Sequence, residues 1–183
     1  MRLGRDIVHI KVGRDLQDFG IHKSLICNAS SFFSAAFNSD FEEGVTGIMK
    51  MEETEVDVFD LFYTWLYSGK KWFKESGDSN PSQKTLVHLH VFANMVHIPA
   101  LKNASLRRLC SLIKEEIPRD LFIEPEIFSY VWKNTTSLSP RRRLIIDLCV
   151  WRIDFSRVFV DLSAPEISSE ICFDIMKAMG MRL

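Results

Sequence analysis

The sequence predicts an α+β fold in which a small sheet is followed by a set of helices. Three observations carry this expectation. In "IVHIKV", Val8, Ile10 and Val12 alternate with His9 and Lys11, the two-residue period of a strand with one buried face. From Lys23 onward the apolar spacing becomes helical, most clearly where Val56, Phe59, Phe62, Tyr63, Leu66 and Tyr67 recur. The chain of 183 residues is 46% hydrophobic and 26% charged, enough apolar mass to bury a core.

Taken in order, Ile7 to Val12 is the first strand, and "LQDFGIH" after the "GRD" turn is its hairpin partner. Leu25, Ile26 and Ala29 fit a short helix. Ser30 or Ser31 can N-cap the next, which carries Phe32, Phe33, Ala36 and Phe37. "SDFEEG" reads as a polar break. "GIMKME" is a third strand, with Met49 and Met51 on one face and Ile48 on the other. Thr54, with Asp57 three residues on, has the form of a capping box before the helix that Gly69 ends. "KESGDSNPSQK" is the most polar and turn-rich stretch and reads as a mobile surface loop. Leu86 to Ile98 is a largely apolar helix, followed by an amphipathic one holding Leu101, Leu106, Leu109, Cys110 and Ile113. Pro118 marks a boundary between residues 1–117 and 118–183. Beyond it, helices are expected around Pro125 to Lys133, Pro140 to Phe155 and Pro165 to Met179, with a proline at or near each start. Their Trp132, Trp151, Phe155 and Phe159 make the segment too apolar for a free linker, so it is expected to pack on the first part of the chain.

The formal net charge of −1 supplies no global field for nucleic acid or an acidic membrane. Cys27, Cys110, Cys149 and Cys172 lack the close spacing of a zinc site and read as buried free thiols in a reducing compartment. There is no secretory leader and no long apolar run, so an intracellular protein, cytoplasmic or nuclear, is expected, with no membrane partner. The sequons at Asn28, Asn103 and Asn134 then carry no weight.

"GIHKSLICNASSFFSAAF" poses the question of chemistry, because it places His22, Lys23, Ser24 and Cys27 close together. An i,i+2 pair such as His22 and Ser24 points apart on a helix, and there is no glycine-flanked serine elbow or phosphate-cradling loop. No catalytic residue is expected. His88, His90 and His97 fall on one expected helix, but only His90 and His97 share a face, and no carboxylate or thiolate completes a metal set. No metal or other cofactor is expected. Arg141 to Arg143 read as a solvated turn rather than a nucleic-acid patch.

The order strand, strand, helix, helix, strand, helix, helix, helix has a familiar counterpart. "DIVHIKVG", "FGIHKSLICNASSFFSAAF", "FEEG", "VFDLFYTWLYSG" and "VFANMVHIPALKNASLRRL" together resemble the BTB/POZ domain over roughly Asp6 to Ile113. "VWKNTTSLSPRRRLIIDLCVW" resembles the segment that follows this domain in many fungal members. The resemblance implies an α+β interaction module, a small mixed sheet with a helical bundle, followed by an α-helical extension. It implies no catalysis. The polar residues of the "GIHKS" stretch become organisers of a turn and a helix hairpin.

The resemblance also implies site residues. Phe41–Glu42–Glu43 matches in form the hydrophobic–x–Glu triplet with which many members recruit a cullin ubiquitin-ligase scaffold, so Phe41 and Glu43 are the expected partner-binding residues. Asp6 and Lys23 match the charged pair of the family's dimer groove. Met1 stands only a few residues before the first strand, so the long amino-terminal helix and strand that swap between subunits in many animal members are expected to be missing. The expected function is a protein–protein interaction adaptor that recruits a cullin-family scaffold. The alternative is a homo-oligomerisation domain of a transcription-related or scaffold protein; a small intracellular enzyme is disfavoured.

Overall fold

Strand β1 (Ile7–Val12) buries Val8, Ile10 and Val12 and turns His9 and Lys11 outward, as its alternation requires. It pairs antiparallel with β2 (Gln17–His22), Ile10 opposite Phe19 and Val8 opposite Ile21. The turn between them needs left-handed backbone at Gly13 and at Leu16. On the other side β1 pairs in parallel with β3 (Ile48–Met51), which buries Met49 and Met51 and exposes Ile48. The sheet is therefore mixed, in the order β2-β1-β3.

The computed structural model describes residues 4–68, 81–116, 121–122, 125–136, 142–143, 145–146, 158–159 and 165–180. The expected stop at Gly69, most of the expected polar loop, the Pro118 boundary and most of the helix expected around 140–155 lie outside them. The chain divides into two units, Met1–Arg108 and Leu109–Leu183.

In the first unit the parallel return from β1 to β3 runs through three helices, α1 (Lys23–Ala29), α2 (Ser31–Phe37) and α3 (Glu42–Thr46). Ser30 separates the first two: it ends α1 and N-caps α2, its hydroxyl accepting from the Phe33 N–H at 3.1 Å. Helix α4 (Val56–Ser68) begins slightly later than a Thr54 cap would set it. It buries Val58, Phe59, Phe62 and Leu66. Helix α5 (Gln83–Met95) is capped by Ser82 and buries residues round most of its girth. It ends three residues short of Ile98. His97 adopts a left-handed φ of 55°, its N–H bonds the Asn94 carbonyl, and the Ile98 N–H reaches back to Ala93 at 2.8 Å. This pair of bonds is a Schellman closure with histidine in the usual glycine place. Helix α6 (Pro99–Glu116) follows at once and crosses the division between the units.

The core of the first unit is aromatic at its centre. Phe33, Phe59, Leu66, Leu89 and Phe92 lie in one buried cluster, as their helical spacing requires, and Tyr63 packs half-buried at its margin. The Phe59 ring meets those of Phe19, Phe62 and Phe92 at centroid separations of 4.8, 5.3 and 5.9 Å.

In the second unit, α7 (Pro125–Lys133) buries Ile127, Phe128, Val131 and Trp132, and α8 (Ser169–Gly180) buries Ile171 and Ile175. α8 starts four residues after Pro165. This extension is not purely helical: β4 (Leu121–Phe122) and β5 (Val158–Phe159) form a short parallel pair.

Replacing Phe59 with alanine removes a fully buried ring from the centre of this cluster. The expected loss is about 3–5 kcal/mol of stability, read as a lowered chemical-denaturation midpoint. An unchanged midpoint would contradict the assigned helix faces.

Candidate functional site

Between α2 and β3 the chain builds a small projecting ledge. The Ser39 hydroxyl donates to the Ala36 carbonyl at 2.8 Å and accepts from the Phe41 N–H at 3.3 Å, folding the chain back after α2. Phe41, extended at φ −73° and ψ 171°, takes the N-cap position of α3, and its carbonyl accepts the Val45 N–H at 3.0 Å. Gly47, left-handed at φ 69°, closes the helix through its N–H to the Glu43 carbonyl. A Cβ on Gly44 would overlap the Ser39 carbonyl oxygen, so only glycine lets the two backbones approach here.

The sequence marks this stretch as a polar break, yet it is one turn of helix. Its acidic start explains part of this, since Glu42 and Glu43 complement the partial positive charge of the first turn. No residue of α3 is buried. Phe41 is 75% exposed and Val45 77%; Glu42 is exposed and Glu43 partly buried. Val45 carries no part in the family triplet and was legible only as a residue four positions beyond Phe41, the spacing of neighbours on one helix face.

The other expected pair is joined through backbone. The Lys23 N–H donates to the Asp6 carbonyl at 2.8 Å, with Asp6 exposed and Lys23 partly buried. No ion pair joins their side chains among the described residues.

His22, Ser24 and Cys27 each meet a structural partner. The Tyr67 hydroxyl accepts from the His22 N–H at 3.2 Å and lies 2.8 Å from its Nδ1, tying the end of β2 to the end of α4. The Ser24 hydroxyl accepts from the Gly4 N–H. Cys27 donates its thiol hydrogen to the Phe33 carbonyl at 3.8 Å, and burial pushes that thiol up from its ordinary value against a smaller lowering by Lys23. The three histidines weighed as metal ligands each meet a different partner. His88 meets Glu55 at 3.0 Å and His90 donates to the Lys102 carbonyl at 3.0 Å; His97 lies 3.5 Å from the Ser31 hydroxyl. No group of three or more potential ligands gathers among the described residues. Cys27, Cys110 and Cys172 are free and partly rather than fully buried; Cys149 lies outside the described residues.

Arg142 corrects the reading of "RRR" as a solvated turn. Its guanidinium is buried in the second unit, 5.1 Å from the centre of the Trp132 ring. It donates to the Trp132 and Thr135 carbonyls at 3.0 and 2.9 Å, satisfying the open end of α7, and it pairs with Glu170 at the start of α8. Arg143 is exposed.

The first unit is thus a mixed three-stranded sheet with helices, in which α3 carries exposed apolar side chains between α2 and β3. Residues 7–112 match the family model of the BTB/POZ domain, more than half of the 183 residues, and the chain belongs to that family. It is a protein–protein interaction or oligomerisation module, of a family that is not typically enzymatic. No curated protein sequence matches the chain. No helix among the described residues is long and apolar enough to cross a membrane.

A raised thiol has less thiolate at neutral pH and so reacts slowly. Cys27 should be alkylated by iodoacetamide at pH 7 more slowly than free cysteine, with the rate climbing only above the pH at which a free thiol titrates. Peptide mass spectrometry of the native protein across a pH series measures this. Fast labelling of Cys27 at neutral pH would contradict its assignment as a packing residue.

Proposed function

We propose that this chain is an adaptor that docks a cullin-family ubiquitin-ligase scaffold through Phe41 and Glu43. The observation that carries this reading is the posture of Phe41. A large apolar side chain 75% exposed at the head of a helix with no buried residue does nothing for the core, and its exposure suits it to fill a pocket on another molecule. Glu43, two residues on, adds a carboxylate that suits a groove with a basic rim. The family triplet supplies the kind of partner. The 118–183 extension is then the part of this chain available to recognise whatever is brought to the ligase.

Replacing Phe41 with alanine should leave stability within about 0.5 kcal/mol, since the ring is exposed. The same change should weaken binding to a recombinant cullin amino-terminal domain by ~2 kcal/mol or more, as the loss of a central aromatic anchor does. Glu43→Ala should act on the salt-sensitive association rate rather than on stability. Melting temperature and affinity measured on one Phe41→Ala sample decide the matter. Loss of stability in step with loss of binding contradicts the docking role. A wild-type protein with no cullin affinity at high micromolar concentration removes the adaptor reading and leaves homo-oligomerisation, with Asp6 and Lys23 as the residues to test.

A further inference from the structure

Phe41 does not stand alone. Val45 lies one helical turn beyond it and is the more exposed of the two, at 77% against 75%. A backbone hydrogen bond of 3.0 Å from the Val45 N–H to the Phe41 carbonyl fixes their spacing. Phe41 heads the helix and Val45 lies one turn on, so two exposed apolar residues form a stripe along α3. Gly44 faces the Ser39 carbonyl and anchors α3 by its backbone. The stripe is therefore held in place without either side chain being drawn inward.

Two features of the ledge specify what fits it. It is a single turn between α2 and β3 with two large apolar side chains exposed, which suits an apolar groove on a partner. It is also acidic. Asp40 and Glu42 are exposed beside the stripe and Glu43 is partly so, and none of the three is in an ion pair among the described residues. Unpaired carboxylates beside an apolar anchor favour a groove rimmed by lysine or arginine and disfavour a nucleic acid or an acidic surface.

We infer that Val45 is a second anchor, so that the docking element is a two-residue helical stripe, Phe41 and Val45, seated in a basic-rimmed apolar groove of a partner protein. This inference rests on the docking role of Phe41 and deepens it. A partner that reads only the Phe41–Glu43 triplet is indifferent to residue 45. A partner whose groove extends one turn further discriminates against any chain with a polar or charged side chain there. Val45 thus acts as a specificity residue that the triplet does not contain.

The test uses the full chain and a recombinant cullin amino-terminal domain, with binding followed by calorimetry and melting temperature recorded for every variant. Val45→Ala should weaken binding about tenfold, the effect of removing two buried methyl groups. Val45→Asp should weaken it further, and Val45→Ile should bind like the wild type. All three should melt with the wild type; if Val45→Asp does not, the alanine and isoleucine variants decide. Wild-type affinity in both Val45→Ala and Val45→Asp, with Phe41→Ala still impaired, overturns the second anchor and leaves the Phe41 docking role intact. No binding by the wild type overturns both. Light scattering of the chain alone covers the remaining occupant: a change of oligomeric state in Val45→Asp would assign the stripe to a second copy of this chain and overturn the inference.

Discussion

The Ser30 side chain and backbone together join three helix ends. Its N–H bonds the Ile26 carbonyl and closes α1, and its own carbonyl accepts the Ser34 N–H. Its hydroxyl oxygen caps α2 through the Phe33 N–H. The hydroxyl proton goes to the Val96 carbonyl, 66 residues away at the end of α5, at 2.5 Å. Ser30 is 1% exposed, so each of these groups would be costly to leave unpaired. The helix hairpin that Ser30 fixes turns Ile26, Phe33 and Phe37 into the core and leaves Asn38, just past the end of α2, exposed. The start of the ledge is set from that end, because the Ser39 hydroxyl donates to the Ala36 carbonyl in the last turn of α2.

Stability and recognition are consequently divided between different residues. The aromatic cluster around Phe59 and Phe62, the inner face of the sheet and the Ser30 bonds hold the first unit together. Helix α3 is tied to this through Gly44, Gly47, the Ser39 turn and the Thr46 hydroxyl, which accepts from the Ile48 N–H of β3 at 3.2 Å. None of its residues is buried, and Phe41 and Val45 are exposed, the condition under which a surface can be shaped by its partner. The same division accounts for the polar residues near His22. His22, Ser24 and Cys27 each meet a different hydrogen-bond partner, Tyr67, Gly4 and Phe33 respectively.

The parts of this fold that were legible in the sequence are those governed by period and by capping. The alternation of Val8, Ile10 and Val12 set the inner face of β1, Ser30 announced a cap, and the spacing of Phe59, Phe62 and Leu66 marked the buried side of α4. The parts that were not legible depend on contacts distant in sequence or on elements too short to show a period. One turn of helix at Glu42 to Thr46 carries no periodic signal, and Gly44 is required only because Ser39 folds back onto it. Helix α5 stops at Met95 because His97 accepts a left-handed backbone, which its residue type does not advertise. Arg142 looks solvated in a run of three arginines, and it is buried because two carbonyls, a carboxylate and the Trp132 ring surround it. The triplet at Phe41 was visible through family likeness, whereas Val45 emerges only when Phe41 is seen to head a helix.

The central claim is that this chain meets its partner through α3, and amide hydrogen exchange tests it most directly. The reference is the free protein, compared with the protein bound to a recombinant cullin amino-terminal domain. Residues 41–48 should exchange more slowly in the complex, because the ledge has no buried side chain to protect it when free. Strands β1 and β2 should exchange as before. Slowing confined to Asp6 and Lys23 and their neighbours, with residues 41–48 unchanged, would contradict the claim and place the partner on the dimer-groove pair instead.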